Sequence, residues 1–207
     1  PGKERIEMLV QSIKTTQEPK QAITYGHEAL ELLKRYPDPK LQADVLINLC
    51  ASEQFLGEYD NAMGYVQQGY EIAQEAGYKK GSADAMYYFG RNYYYQGVYP
   101  QATIYASQAR QWYEELKDQV GIARALNTSG LIHWRLGNYP RAMEYLLDSC
   151  KIYENLKSLN KQARLGLAYT YNNIGLVYLA MKNYPRARQY FLEAGKIHEI
   201  LENKWGI

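Results

Sequence analysis

The sequence predicts an all-α protein built from about five repeated helix–turn–helix units, and a regular series of alanines is the main reason. Intervals of 40, 40, 40 and 45 residues separate these alanines, and each is followed three residues later by a tyrosine. The series consists of Ala22, Ala62, Ala102, Ala142 and Ala187. Self-similarity at such a period is typical of stacked supersecondary units, in which each unit contacts only its neighbours.

Turn motifs divide each unit into two helices. Gly-x-Tyr triplets occur at 57–59, 97–99 and 137–139, and the last unit has Lys182 in place of the glycine. Glycine adopts the left-handed conformation that ends a helix without steric cost. The prolines at Pro100 and Pro140 follow the tyrosine, where the first turn of a helix tolerates them.

The elements follow in chain order from these marks. The first unit, residues 1–38, is the least regular, with helical segments over 4–14 and 20–35 and a break at Pro37-Asp38-Pro39. The later units each open with an alanine-bearing helix that carries a small residue seven positions further on, and they cover 39–78, 79–118, 119–159 and 160–207. Small residues let helix axes approach to about 8–10 Å, so neighbouring helices can pack closely. Five units of two helices each give ten helices, which we expect in a single domain spanning 1–207.

These marks resemble the tetratricopeptide repeat (TPR) family. The third unit matches its pattern at Met86, Phe89-Gly90, Gly97-x-Tyr99, Ala102 and Ala109. The resemblance implies a right-handed superhelical solenoid whose first helices line a concave groove. The period exceeds the usual 34 or so residues and is similar to the long TPR form of bacterial signalling proteins, kinesin light chains and bacterial peptide-pheromone receptors. It implies the sensory or regulatory segment of a bacterial signal-transduction protein.

Composition and motifs argue against several classes of function. A net charge of +2 favours neither a nucleic-acid partner nor direct membrane contact, because both require a concentrated basic face. The three histidines fall in different units, and no phosphate-binding loop occurs. We therefore expect no catalysis, no metal and no cofactor. Cys50 and Cys150 are interpreted as buried, unpaired thiols. The start at Pro1 suggests a piece of a longer protein, and both cytoplasmic and periplasmic locations stay open.

The candidate binding residues lie on one side of the first helix of each unit. Asparagine can both donate to and accept from the backbone of an extended peptide, while tyrosine, tryptophan and arginine are enriched at binding hot spots. The resemblance implies the same role for first-helix asparagines. The candidates are Asn48, Tyr87, Arg91, Tyr94, Asn127, Trp134, Arg135, Asn172 and Asn173.

Two alternatives remain open at this point. Aromatic residues at helical spacing also form cores, so the central tyrosines and Trp134 could be wholly structural. The chain could also be a scaffold that self-associates, for example as a homodimer, because solenoid ends without a polar cap tend to associate. The TPR clamp for C-terminal carboxylates uses a lysine and an asparagine at set positions of the first helix. A receptor of this type is disfavoured, because that pair is lacking at the corresponding positions Ile47/Ala51, Tyr87/Arg91 and Asn127/Leu131.

Overall fold

A computed structural model describes residues 2–16, 18–156 and 161–201, and within these ranges the chain forms ten α-helices and no strands. The all-α helical repeat fold is thereby confirmed. The predicted unit boundary at 159/160 and the ends of the predicted domain lie outside the described residues. The helices are α1 (Gly2–Thr15), α2 (Pro19–Arg35), α3 (Pro39–Leu56), α4 (Tyr59–Glu75), α5 (Lys79–Tyr95), α6 (Tyr99–Glu115), α7 (Gln119–Arg135), α8 (Tyr139–Leu156), α9 (Lys161–Ala180) and α10 (Tyr184–Ile200).

The chain divides into two compact units, Pro1–Trp112 (unit 1) and Tyr113–Ile207 (unit 2). Within unit 1, α1 packs on α2 and α3 on α4, while within unit 2 α7 packs on α8 and α9 on α10. The first helices of successive hairpins also touch, since α3 contacts α1 and α5, and α7 contacts α9. Each unit therefore has a side formed by first helices alone.

Helix ends follow the turn residues that the sequence marks. Gly57 ends α3 with φ 83°, and Lys182 takes the same left-handed conformation with φ 59° in the last hairpin. A side chain in this region costs roughly 1–2 kcal/mol, so the last turn keeps its geometry at some cost. At the other end of α3, Asp38 accepts a hydrogen bond of 3.1 Å from the Leu41 amide. This bond lowers the pKa of the Asp38 carboxyl below its ordinary value.

The repeated alanines lie where paired helices meet. All five members of the series are buried, from Ala22 to Ala187. The facing small residues explain how close the helices come: a Cβ added to Gly90 of α5 would lie 3.1 Å from the backbone nitrogen of Ala106 in α6. Backbone atoms of the two helices are therefore nearly in contact, and a larger residue would need the helices to separate.

Candidate ligand-binding faces

The first helices α3, α5, α7 and α9 each expose a stripe of side chains that are mostly three or four residues apart. In unit 1 the stripes form what we call the unit 1 face, and in unit 2 they form the unit 2 face. The unit 1 face consists of Asp44, Asn48, Ala51 and Phe55 of α3 with Asp84, Tyr88, Arg91 and Tyr95 of α5. The unit 2 face consists of Arg124, Asn127, Leu131, Trp134 and Arg135 of α7 with Tyr169, Asn172, Leu176 and Leu179 of α9. This spacing places the members of each stripe on one side of their helix.

Arg91 lies at the centre of a tyrosine cluster on the unit 1 face. Its guanidinium carbon is 5.7 Å from the ring centres of both Tyr87 and Tyr88 and 5.4 Å from that of Tyr95. One guanidinium nitrogen also donates a 2.7 Å hydrogen bond to the Tyr95 hydroxyl. Distances within about 6 Å of the ring centre are those of cation–π interactions. The positively charged guanidinium of Arg91 therefore lies among three tyrosine rings, each of which carries a polar hydroxyl.

The predicted tyrosines Tyr87 and Tyr94 lie deeper than Tyr95. Both are only 8% exposed, whereas Tyr95 is 41% exposed. The ring of Tyr95 packs edge-on to Tyr94, with centres 5.4 Å apart, and stacks on Tyr59 at 5.6 Å. Tyr87 and Tyr94 thus form the buried part of the cluster. Tyr88 and Tyr95 are the tyrosines that a ligand on this face can reach.

The other charged groups on the unit 1 face have partners. Asp44 lies 3.3 Å from the Lys14 ammonium and accepts a hydrogen bond from the Tyr78 hydroxyl at 3.1 Å. Asp84 pairs with Lys80 at 2.9 Å. Arg91, by contrast, makes no ion pair with any residue that the structure describes. Burial acts to lower the pKa of Arg91, but its interactions with the three tyrosines raise that pKa above its ordinary value, and the group stays charged.

Amide side chains connect the helices of unit 1. Gln54 donates to the backbone carbonyl of Tyr88 at 2.9 Å, and Asn92 donates to that of Tyr59 at 3.0 Å. Asn92 is fully buried, and sequence reasoning missed it because helical spacing places it beside the exposed stripe without showing which helix covers it. The predicted Asn48 donates to the Asp44 carbonyl of its own helix. Its side-chain oxygen has no partner within the described part of the chain.

Two of the predicted asparagines in unit 2 bind each other. Asn173 of α9 donates a 2.6 Å hydrogen bond to the side-chain oxygen of Asn127 in α7. Asn127 in turn donates to the Thr170 hydroxyl at 2.8 Å. Buried Ser149 of α8 lies 3.4 Å from the Thr170 hydroxyl oxygen and donates to the Ala123 carbonyl of α7 at 2.8 Å. Asn127 and Asn173 therefore join α7 to α9, and Ser149 joins α8 to α7.

The remaining candidates of unit 2 lie closer to solvent. Asn172 is exposed and forms no hydrogen bond that involves its side chain within the described residues. The guanidinium carbon of Arg135 lies 4.7 Å from the ring centre of the half-buried Trp134. Trp134 also packs against the buried cluster of unit 2. The structure therefore separates the candidates into two unit-level groups: Asn48, Tyr87, Arg91 and Tyr94 in unit 1, and the other five in unit 2.

The structure shows how the potential metal ligands and the two cysteines are placed among the described residues. No group of three or more metal-ligating side chains comes together among them. Burial raises the pKa of both the Cys50 and the Cys150 thiol to about 12, so neither is a thiolate at neutral pH. Both thiols are unpaired and buried, as predicted. Of the helices described, none has the length and apolar character needed to cross a bilayer.

Family comparisons agree with the repeat. Two family models, both described as tetratricopeptide repeat, match residues 81–155 and 167–203. Together the two matches cover more than half of the chain. The chain belongs to the tetratricopeptide repeat family. Among curated protein sequences, none matches this chain.

Solved structures share the fold at low sequence identity. BtubC (BKLC) from P. vanneervenii is 19% identical, over 96% of this chain and 80% of that chain, with a TM-score of 0.68. A Rap protein complexed with Competence and Sporulation Factor is 17% identical over 94% and 53%, with a TM-score of 0.82. The Rap conjugation gene regulator of plasmid pLS20, in complex with the Phr* peptide, is 16% identical over 88% and 49%, with a TM-score of 0.75. This chain spans about half the length of either Rap protein.

Proposed function

We propose that this chain is a non-catalytic protein- or peptide-binding module whose ligand binds the first-helix sides of its repeats. The observation that carries this proposal is the unit 1 face. Phe55 is 63% exposed there, and Tyr95, which accepts a hydrogen bond from the partly buried Arg91, is 41% exposed. Aromatic and arginine side chains that are ordered and reachable are typical of binding hot spots. A face with these groups can bury a ligand's apolar side chains and also hold polar ones.

Two asparagines have the free capacity to bind a peptide backbone. The side-chain oxygen of Asn48 can accept from a peptide N–H, and the exposed amide of Asn172 can both donate and accept. Asn127 and Asn173 instead position the helices, because they hydrogen-bond each other. We therefore assign backbone contacts to Asn48 on the unit 1 face and to Asn172 on the unit 2 face, and a supporting role to the other two.

Similarity of fold supports a peptide ligand. Both Rap structures named above are described as complexes, one with Competence and Sporulation Factor and one with the Phr* peptide. One of them is a regulator of conjugation genes. By extension we propose that this chain is the sensory or regulatory segment of a bacterial signal-transduction protein and that a bound peptide is its input.

A selection from phage-displayed random linear peptides tests the binding proposal. Clones recovered on the wild-type chain should bind at least about tenfold more weakly to a double variant, Asn48→Ala with Tyr95→Ala, which loses a backbone contact and an aromatic contact. Ile104→Ala is the matched control, because Ile104 is a large apolar side chain that is 55% exposed on the second helix α6. If the recovered clones bound the double variant as strongly as the wild type, or if the selection recovered no clones, the unit 1 face would be removed from the mechanism.

A second candidate function, self-association, is favoured by one observation in unit 2. A cleft of about 350 Å³ between α9 and α10 is lined almost wholly by apolar groups, and Leu179, Tyr184 and Leu192 there are 45–61% exposed. Exposed apolar patches of this kind mark interaction sites. Sedimentation of the wild type against Leu192→Glu tests it: a dimer that the charge dissociates supports the scaffold function, and a monomer at all concentrations rejects it.

A further inference from the structure

Arg91 is an unneutralised cation on a face where the neighbouring acids are already engaged. Its one side-chain hydrogen bond among the described residues goes to the neutral hydroxyl of Tyr95. The two acids of the same face, Asp44 and Asp84, are paired with Lys14 and Lys80. Neither acid can neutralise Arg91 without breaking an existing pair. Within the described part of the chain the positive charge of Arg91 therefore has no counter-ion, and a ligand can supply one.

The guanidinium is also held in a way that favours one type of ligand. It carries five N–H donors in a planar fork that matches the two oxygens of a carboxylate. Among the described residues, Tyr95 accepts from one of these donors at 2.7 Å, and no other hydrogen bond from the guanidinium is found. The rings of Tyr87, Tyr88 and Tyr95 surround it at 5.4–5.7 Å. Such surroundings exclude part of the water and strengthen a charged hydrogen bond relative to bulk solvent.

We infer that Arg91 binds the side-chain carboxylate of an aspartate or glutamate in the ligand peptide, and that Tyr88 and Tyr95 pack against the apolar residues beside it. This inference rests on the proposed function and adds the chemical class of the ligand. A side-chain carboxylate needs a single two-pronged cation. Capture of a chain end by the TPR clamp uses a lysine together with an asparagine, and that pair is lacking at the matching positions of α5 and α7.

Capped peptide libraries provide the probe for this site. The first library has glutamate at a fixed central position between random residues, with both termini blocked, and the second has glutamine there. The third lacks acidic side chains but has a free C-terminal carboxylate. The wild-type chain should bind the glutamate library at least about tenfold more strongly than the glutamine library, as expected for a charge-assisted pair.

Variants of Arg91 separate its charge from its shape. Arg91→Met should abolish the preference for glutamate while leaving binding to the glutamine library within about twofold. Arg91→Lys should keep only part of the preference, because an ammonium cannot form the two-pronged contact. Arg186→Gln is the control for net charge, since Arg186 is exposed on α10 of unit 2. It should leave the preference unchanged. Circular dichroism melting confirms that each variant is folded.

The outcomes distinguish this inference from the proposed function. Equal binding of the glutamate and glutamine libraries, or a glutamate preference that survives in Arg91→Met, overturns the carboxylate site but leaves peptide binding intact. A preference for the third library assigns Arg91 to a chain end and also overturns it. Absence of binding to all three libraries overturns both the carboxylate site and the proposed function.

Discussion

The same substitution, glycine to alanine, should have opposite effects at two helical positions of unit 1. Gly90 in α5 faces α6, where an added Cβ would lie 3.1 Å from the Ala106 nitrogen and 3.4 Å from the Ala102 carbonyl oxygen. Gly64 in α4 has no atom within 4 Å of the corresponding point. The two sites share the helical context and differ in the space beside them. The comparison therefore measures how closely the paired helices pack.

The magnitudes follow from two competing terms. Alanine is favoured over glycine inside a helix by roughly 1 kcal/mol, and this gain should be kept in full in Gly64→Ala. At Gly90 the obstructing atoms belong to the backbone of another helix, which cannot rotate away. Overpacking of this kind costs about 1–3 kcal/mol, so Gly90→Ala should lower the free energy of unfolding by between about zero and 2 kcal/mol. The two variants should differ by about 1–3 kcal/mol.

Thermal melting and hydrogen exchange measure these effects. For a chain of this size, 1 kcal/mol corresponds to a shift in Tm of roughly 2–4 °C. Because repeats can open separately, amide exchange in α5 and α6 should show where Gly90→Ala acts, with faster exchange in these helices first. If Gly90→Ala stabilised the protein as much as Gly64→Ala, the close approach of α5 to α6 would be wrong.

Three further predictions concern hydrogen bonding, pH and thiol reactivity. Asn127→Ala should lower the free energy of unfolding by about 1–3 kcal/mol, because it leaves its partner in α9 unpaired, whereas the exposed Asn172→Ala should change melting little; equal effects would contradict the network. Burial lowers the pKa of His198 below its ordinary value, so His198 adds stability above about pH 6.5 that is lost as pH falls through its folded pKa. The free energy of unfolding in urea should therefore depend less on pH between about pH 7 and 5 in His198→Phe than in the wild type. An unchanged pH dependence would show that His198 does not cause it. Cys50 and Cys150 should resist a disulfide reagent at about pH 8 in the folded chain and react on unfolding, and rapid reaction of the folded chain would contradict their burial.

Much of the fold was predictable because its signals are local. The first hairpin was expected at 4–14 and 20–35, and the structure has α1 at Gly2–Thr15 and α2 at Pro19–Arg35. Proline, glycine and the alanine series act on a chain segment of one helix and one turn. Their effect is therefore largely independent of distant residues. The burial of Ala102 and Ala142 was predicted for the same reason, since Ala102 lies against Gly90 and Ala142 against Gly130, each in the first helix of the same hairpin.

The candidate binding faces were predicted less completely. Helical spacing correctly put Arg91 on an accessible stripe, but it could not separate Tyr87, which is buried, from the partly accessible Tyr88. The two are adjacent in sequence and differ by about 100° around the helix axis. Which of them meets solvent depends on the side from which other helices approach α5. The spacing of residues along a single helix does not show that side.

The amino-acid sequence by itself determined the helices, their turns and their order, because each depends on backbone conformations and on contacts between neighbours in the chain. The tertiary structure alone decided how polar groups far apart in sequence are used. Asn127 and Asn173, 46 residues apart, have the same side chain as Asn48 and the same helical setting, yet they bind each other. Hydrogen bonds form over about 3 Å, so a side chain's partner is known only once the helices have been placed.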